Sequence, residues 1–146
     1  MLGLIGYEWN EKLIDREGHP QALGELFGWY VIADQYWQRY RRTMMHTETN
    51  RSDAGDAPRW LWRQWHNVQL LRSAGAPIIG FTWYSLTDQI DWERSIKDSF
   101  GIIFPVGLFD LNRDPRAVGL SYKQLIDMHR DQPDFRECKA IAELMA

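Results

Sequence analysis

Two side chains that could carry out chemistry lie at the ends of predicted strands. Glu48 follows the short strand candidate Thr43–Thr47, and Tyr7 ends the candidate strand Leu2–Tyr7. Ligands of α/β proteins bind at the carboxyl ends of parallel strands, so we expect the two side chains to lie close together. A carboxylate can attack an anomeric carbon, and a phenol bonded to it would hold its orientation. The pair is therefore suited to nucleophilic chemistry of the kind that cleaves a sugar.

A third predicted strand, Ile78–Ser85, adds aromatic and acidic side chains at the same edge. It contains Trp83 and Tyr84, and the loop after it carries Asp91 and Trp92. Aromatic faces can stack on sugar rings, while carboxylates bind hydroxyl groups. Because neighbouring strand residues point to opposite faces, we expect at most one of Trp83 and Tyr84 to face a ligand.

The predicted elements alternate between strands and helices. Helices are expected over Ala22–Arg41, from Pro58 to just before Gly75, over Gly119–Arg130 and over Pro133–Ala146. Loops are expected over Glu8–Pro20, Thr49–Ala57 and Thr87–Asp98, followed by a segment punctuated by glycine and proline, Gly101–Asp110. This order predicts an α/β fold with a parallel sheet, and it leaves open whether the sheet is an open domain or an arc of a barrel.

Composition excludes several function classes. A formal net charge of −3 gives no electrostatic reason to expect a nucleic-acid partner. The sequence contains no apolar run of about 18 residues, so we expect no membrane span. Cys138 is the single cysteine, which excludes an internal disulfide and favours a reducing, cytoplasmic location.

The sequence offers two weak metal patterns, and we expect neither to bind a metal. His46 and Glu48 share one face of a predicted strand, but no further histidine or cysteine ligand lies near them in sequence. Residues 110–121 begin like a calcium loop, yet Pro115 replaces the required glycine and Ser121 replaces the bidentate glutamate. A glycine-rich phosphate loop is also absent from the sequence, so no cofactor is expected.

Four motifs, the last of which has two parts, resemble in their order along the chain the closing part of the barrel of the family-one glycoside hydrolases and their clan. T-E-T-N at 47–50 resembles the nucleophile motif T-E-N-G of the seventh barrel strand, and G-L-I-G-Y at 3–7 is similar to the sixth strand, G-x-N-Y-Y. G-F-T-W-Y-S-L-T-D-Q-I-D-W at 80–92 looks like the eighth strand, which typically ends in W-S-L-L-D-N-F-E-W. G-L-F-D at 107–110 is similar to the closing pattern G-L-x-x-x-D, with its aspartate two positions earlier, and S-Y-K-Q-L-I at 121–126 matches the pattern Y-x-x-L-I.

The resemblance implies a partial (β/α)8 TIM barrel, formed by the last three β/α units (strands six to eight) and a C-terminal helix. Residues 1–146 would then be a C-terminal fragment of a retaining β-glycoside hydrolase. The family's acid/base motif, N-E-P, is absent from the sequence. The chain is therefore expected to be inactive alone, to require the missing N-terminal part or another chain, and to act on a carbohydrate within the intact enzyme.

The resemblance also implies roles for individual residues. Glu48 falls on the nucleophile and Tyr7 on the tyrosine that orients it. Substrate-binding roles fall on the residues of the third strand and the loop after it: Trp83 or Tyr84 for the tryptophan that floors the sugar site, Asp91 for a glutamate that binds sugar hydroxyls, and Trp92 for the tryptophan after it. Tyr84, Asp91 and Thr49-Asn50 depart from the family's residues, which leaves the sugar, linkage and aglycone open.

Two other interpretations stay open at this point. The chain could belong to a non-catalytic carbohydrate-binding or interaction protein that retains part of the barrel. It could also be an open α/β domain whose motif matches are accidental. Covalent labelling of Glu48 by a fluoroglycoside would favour the enzyme, whereas failure of Tyr7, Glu48 and Tyr84 to converge would favour the open domain.

Overall fold

The computed structural model describes residues 1–7, 12–22, 28–92 and 100–130. It contains helices α1 (Gly28–Tyr40), α2 (Ala57–Ser73) and α3 (Ala117–His129). Its strands are β1 (Leu2–Ile5), β2 (Lys12–Ile14), β3 (Pro20–Ala22), β4 (Met44–Glu48), β5 (Ile78–Phe81), β6 (Gln89–Ile90) and β7 (Ile103–Phe104). Within the described ranges, none of the helices is both long enough and apolar enough to cross a membrane.

The described chain forms two compact units. The first takes in the described part of residues 1–49 together with 63–82, and the second takes in 50–62 and the described residues from Trp83 onward. Each candidate site residue falls clearly in one unit. Tyr7 and Glu48 belong to the first, and the aromatic and acidic residues that follow β5 belong to the second.

The first unit is built on a parallel sheet in the order β1–β4–β5. Helix α1 lies in the chain between β1 and β4, and α2 lies between β4 and β5, so strands and helices alternate as the sequence predicts. The α/β class is thereby confirmed. The predicted helix Ala22–Arg41 is described from Gly28 onward, and residues 23–27 lie outside the described part of the chain.

Side chains of β4, the central strand, alternate between a buried and a partly exposed face. Met44 and His46 are fully buried, while Met45 and Thr47 are half-buried. A Cβ added to Gly3 on β1 would lie only 2.7 Å from Thr47 Cγ2, so this glycine gives the larger side chain room. The buried face belongs to the core of this unit, whose helical members are Trp29, Ala33, Trp65, Val68 and Leu71.

The second unit combines a short antiparallel ladder with helix α3. Gln89 pairs with Phe104 and Ile90 pairs with Ile103, so β6 and β7 form within segments that the sequence predicts as loops. Strands of two residues are too short for side-chain alternation to reveal them. In α3, Gly119 packs directly against the backbone carbonyl of Leu108, and this close approach leaves no space for a Cβ.

Three further expectations from the sequence need correction. The predicted loop Glu8–Pro20 contains strand β2, which pairs with β3 across a turn where the Asp15 carboxylate accepts backbone N–H groups. The predicted strand Ile78–Ser85 ends at Phe81, because the backbone after it changes its pairing. The carbonyls of Ser85 and Leu86 accept hydrogen bonds from the backbone N–H groups of Leu108 and Phe109. Helix α3 begins at Ala117, and the predicted helix Pro133–Ala146 lies outside the described residues.

Candidate active site

Tyr7 and Glu48 contact each other at one edge of the parallel sheet. Glu48 is the last residue of β4, and Tyr7 follows the end of the neighbouring strand β1. The Tyr7 hydroxyl donates a hydrogen bond to Glu48 Oε1, and both residues are partly buried. The structure therefore brings together the two side chains that were expected to lie close to each other at the strand ends. A phenol bonded to one carboxylate oxygen leaves the other oxygen available to react.

An irregularity in strand pairing occurs where this pair is formed. Leu4 is opposite His46, but the next residue, Ile5, is opposite Glu48, so β4 contains one extra residue at this point. Such bulges re-aim the side chains that follow them and are frequent beside active sites. By strict alternation Glu48 would share the buried face of His46. The shift in register is the local feature that accompanies its contact with Tyr7.

A buried histidine lies beneath the pair. His46 has no solvent exposure, and its ring stacks on Trp29 at 4.4 Å and meets the edge of Phe81 at 5.0 Å between ring centroids. Its Nε2–H donates to Gln64 Oε1 at 3.1 Å. Burial lowers the pKa of His46 from 6.5 to about 4, and the hydrogen bond to Gln64 opposes this only in part. The imidazole is therefore neutral at neutral pH and acts as a packing and hydrogen-bonding group.

The neutral His46 predicts a stability that depends on pH. Between pH 6.5 and 4 the unfolded chain binds a proton that the folded chain does not, so the free energy of unfolding must fall as pH falls through this window. We expect a loss of about 2 kcal/mol between pH 7 and pH 5, measured by urea unfolding. His46→Phe should abolish this part of the pH dependence. His66→Gln, at an exposed position of α2, should retain it, and equal slopes for both variants would contradict the prediction.

The two weak metal patterns of the sequence bring no cluster of ligands together among the described residues. No group of three or more histidine, cysteine, aspartate or glutamate side chains is close enough there to hold an ion. In the calcium-like segment, Asp110 Oδ1 instead accepts the backbone N–H groups of Asn112 at 2.8 Å and Asp114 at 2.9 Å. This carboxylate closes a local turn.

In the second unit, Tyr84 and Trp92 form an accessible aromatic pair. Their ring centroids are 5.7 Å apart, Trp92 is 53% exposed, and Tyr84 is partly buried. Trp83 is buried, and its indole N–H donates to the Val106 carbonyl at 2.9 Å. Of the two neighbouring aromatic residues, Tyr84 is thus the more exposed. The assignment of either residue to a sugar site stays a prediction.

Asp91 is a buried carboxylate already engaged by the backbone. It accepts N–H groups from three successive residues, Phe100 at 2.8 Å, Gly101 at 3.0 Å and Ile102 at 2.8 Å. Its own backbone has a positive φ of 53°, a conformation that aspartate tolerates better than most residues. In the structure this side chain joins Asp91 to the backbone of residues 100–102. Its predicted bond to sugar hydroxyls would have to use the remaining lone pairs.

Comparison with known proteins gives a consistent result. No family model matches the sequence. A β-galactosidase of Saccharolobus solfataricus is 30% identical over 111 residues, which is 70% of this chain and 22% of that protein. The β-glycosidase of the hyperthermophile Thermosphaera aggregans superimposes with a TM-score of 0.55 over 88% of this chain and 27% of its own, at 24% identity.

This chain resembles the β-glycosidases. The resemblance was expected from its motifs, and it extends to both sequence and fold. The β-glycosidase-like chain spans only about a quarter of the length of the proteins it matches. What the whole relatives do therefore enters only as a proposal.

One buried ion pair of the β-glycosidase-like chain, between Asp88 and Arg116, could not be predicted from the sequence. Asp88 is 4% exposed and accepts from Arg116 Nε at 2.9 and 3.1 Å and from Arg116 Nη2, and it also accepts the Gly107 N–H at 3.0 Å. The hydrogen bonds to Asp88 raise the pKa of Arg116 above its ordinary value. The two residues are 28 positions apart, and no local pattern relates them. Only the folded loop brings them together.

Proposed function

We propose that the chain is the part of a β-glycoside hydrolase that carries the catalytic nucleophile, Glu48. The supporting observation is the hydrogen bond between Tyr7 and Glu48 at the carboxyl ends of two neighbouring parallel strands. The resemblance to a β-galactosidase and a β-glycosidase supports the reaction class. In this proposal β1, β4 and β5 correspond to the sixth, seventh and eighth strands of a (β/α)8 barrel, within a single C-terminal portion formed by residues 1–146.

The proposed reaction is a double displacement with retention of configuration. Glu48 attacks the anomeric carbon, the aglycone leaves with a proton from a second carboxylic acid, and a glycosyl ester forms on Glu48. Water, deprotonated by the same second group, then opens the ester. Tyr7 holds the attacking carboxylate in place during the first step, which is an orientation effect.

The second carboxylate is proposed to lie outside this chain. Retaining enzymes place their two carboxyl groups about 5–5.5 Å apart. The chain contains no N-E-P segment, which carries the acid/base group in the resembling family. We therefore propose that activity requires a preceding part of the barrel, supplied in the same polypeptide or by another chain, in the cytoplasm and without a cofactor.

Sugar contacts are proposed for the second unit. Tyr84 and Trp92 offer aromatic faces that suit the C–H surface of a pyranose ring. Asp91 is proposed to bind hydroxyl groups through the lone pairs that the backbone leaves available, and Trp83 is proposed to support the floor of this site from beneath. Which sugar is bound is not specified by these residues.

The proposal is tested by complementation. The chain is co-expressed with the preceding part of the Saccharolobus solfataricus β-galactosidase, and the complex is assayed with nitrophenyl β-glycosides. We expect hydrolysis that needs both polypeptides, and the first sugar product detected by NMR should keep the β configuration. Inversion, or a complex that binds glycosides but never hydrolyses them, would contradict the proposal. The second outcome would favour the non-catalytic carbohydrate-binding alternative.

A further inference from the structure

Thr49, the residue after Glu48, links the two strand ends that carry the candidate pair. Its side chain is fully buried, and its hydroxyl donates to the backbone carbonyl of Gly6 at 2.6 Å. The Gly6 N–H in turn donates to the Glu48 carbonyl at 3.0 Å. Gly6 immediately precedes Tyr7, so the segments 6–7 and 48–49 are joined by these two hydrogen bonds and by the bond from Tyr7 to Glu48.

The hydrogen bonds between segments 6–7 and 48–49 lie where the regular backbone pairing of β1 with β4 no longer holds the two strands in register. The pairing of β1 with β4 shifts by one residue just before this point, and Gly6 lies beyond the end of β1. A register shift leaves neighbouring backbone groups without their usual ladder partners. The hydroxyl of Thr49 supplies a donor for the Gly6 carbonyl in this irregular region. It thereby fixes the spacing between the backbone of Tyr7 and that of Glu48.

Gly6 also leaves little freedom for the strand ends to adjust. A Cβ at this position would lie 3.1 Å from Trp29 Cδ1 and 3.3 Å from His46 Nε2, so its backbone already lies close to the buried aromatic layer. Gly6 therefore packs against the core at its Cα, while its carbonyl receives the Thr49 hydroxyl. Because Gly6 has little room to move, loss of the hydroxyl would leave its buried carbonyl unpaired, and the segment 48–49 would move in response.

We infer that Thr49 is a positioning residue, which sets the alignment of Glu48 and Tyr7 through the Gly6 carbonyl. The inference rests on the proposed function, since it concerns the nucleophile of that site. The resembling nucleophile motif has asparagine at this position, so the threonine linkage is a property of this chain. Thr49 itself touches no reacting atom.

The experiment compares Thr49→Val, which keeps the shape and removes the hydroxyl, with Thr49→Ser, which keeps the hydroxyl. Thr43→Val, immediately before the same strand, is the matched control. In the complemented enzyme we expect Thr49→Val to lower kcat about 10- to 100-fold with KM nearly unchanged, as for a misaligned reacting group. Thr49→Ser and Thr43→Val should stay within about threefold of the unsubstituted protein.

A second readout uses the chain alone and does not depend on activity. Tyrosine is labelled with ¹³C at Cζ, and the Tyr7 resonance is assigned by its absence in Tyr7→Phe. Thr49→Val should shift this resonance, and Thr49→Ser and Thr43→Val should not. If Thr49→Val does not fold, Thr49→Ala replaces it in both measurements.

The outcomes separate the inference from the proposed function. An unshifted Tyr7 resonance, or an unchanged kcat, in the variants that lack the hydroxyl would overturn the positioning inference. A shifted resonance in a protein that never hydrolyses a glycoside even when complemented would overturn the proposed function, while the contact itself would stand. Rescue of both readouts by serine supports the inference.

Discussion

Glu48→Gln is expected to lower kcat of the complemented enzyme about 10,000-fold or more, the size of effect seen when a covalent nucleophile is removed. The amide is uncharged, and it cannot form the glycosyl ester on which the proposed double displacement depends. Its shape is almost unchanged, so it still accepts the hydrogen bond from Tyr7. The measurement is the steady-state rate on nitrophenyl β-glycosides.

A matched control separates the loss of this carboxylate from the loss of any negative charge. Asp127→Asn makes the same chemical change at an exposed position of α3, where the carboxylate forms a surface ion pair with Arg130. It should leave the rate within about twofold. A Glu48→Gln enzyme that retains a tenth of the activity would remove Glu48 from the mechanism.

The second large effect is expected on stability. Arg116→Ala should lower the free energy of unfolding of the chain by about 3–5 kcal/mol, because it leaves a buried carboxylate without its cation. The side chain of Asp88 is 1% exposed, and that of Arg116 is 28% exposed. Urea unfolding followed by tryptophan fluorescence measures the change.

Two comparisons test the cause of this effect. Arg130→Ala removes an arginine whose ion pair with Asp127 is solvent-exposed, and it should cost less than about 1 kcal/mol. Adding Asp88→Asn to Arg116→Ala replaces the unpaired buried charge with a neutral amide and should restore part of the loss. If the second substitution instead lowers stability further, burial of an unpaired charge is not the cause.

The proximity of Tyr7 and Glu48 could be predicted from the sequence because it depends on connectivity. Parallel strands that are neighbours in a sheet end at the same edge, so residues at or just after their ends come close together, whereas the hydrogen bond itself also depends on the register shift beside Glu48. The strand around Met44 and the helix after Pro58 were also indicated by their patterns. These features need only local periodicity and the order of elements along the chain.

The second unit was much less predictable, because its contacts join residues of irregular backbone. Alternation allowed only one of Trp83 and Tyr84 to face a ligand, but it could not say which, since regular strand geometry ends at Phe81. The bonds of Asp91 to three successive N–H groups join residues 9, 10 and 11 positions apart, and no periodic pattern in the sequence relates them. The bulge beside Glu48 is equally invisible to periodicity.

The most direct test of the central claim is covalent labelling of Glu48. A 2-deoxy-2-fluoro-β-glycosyl fluoride is suited to this, because fluoride leaves without needing a proton and the glycosyl ester persists. Trypsin would release residues 43–51 as one peptide, in which Glu48 is the single carboxylic acid side chain. We predict that mass spectrometry of the complemented enzyme will find the sugar on this peptide. Labelling of any other peptide, or hydrolysis of a β-glycoside with residues 43–51 unlabelled, would contradict the claim.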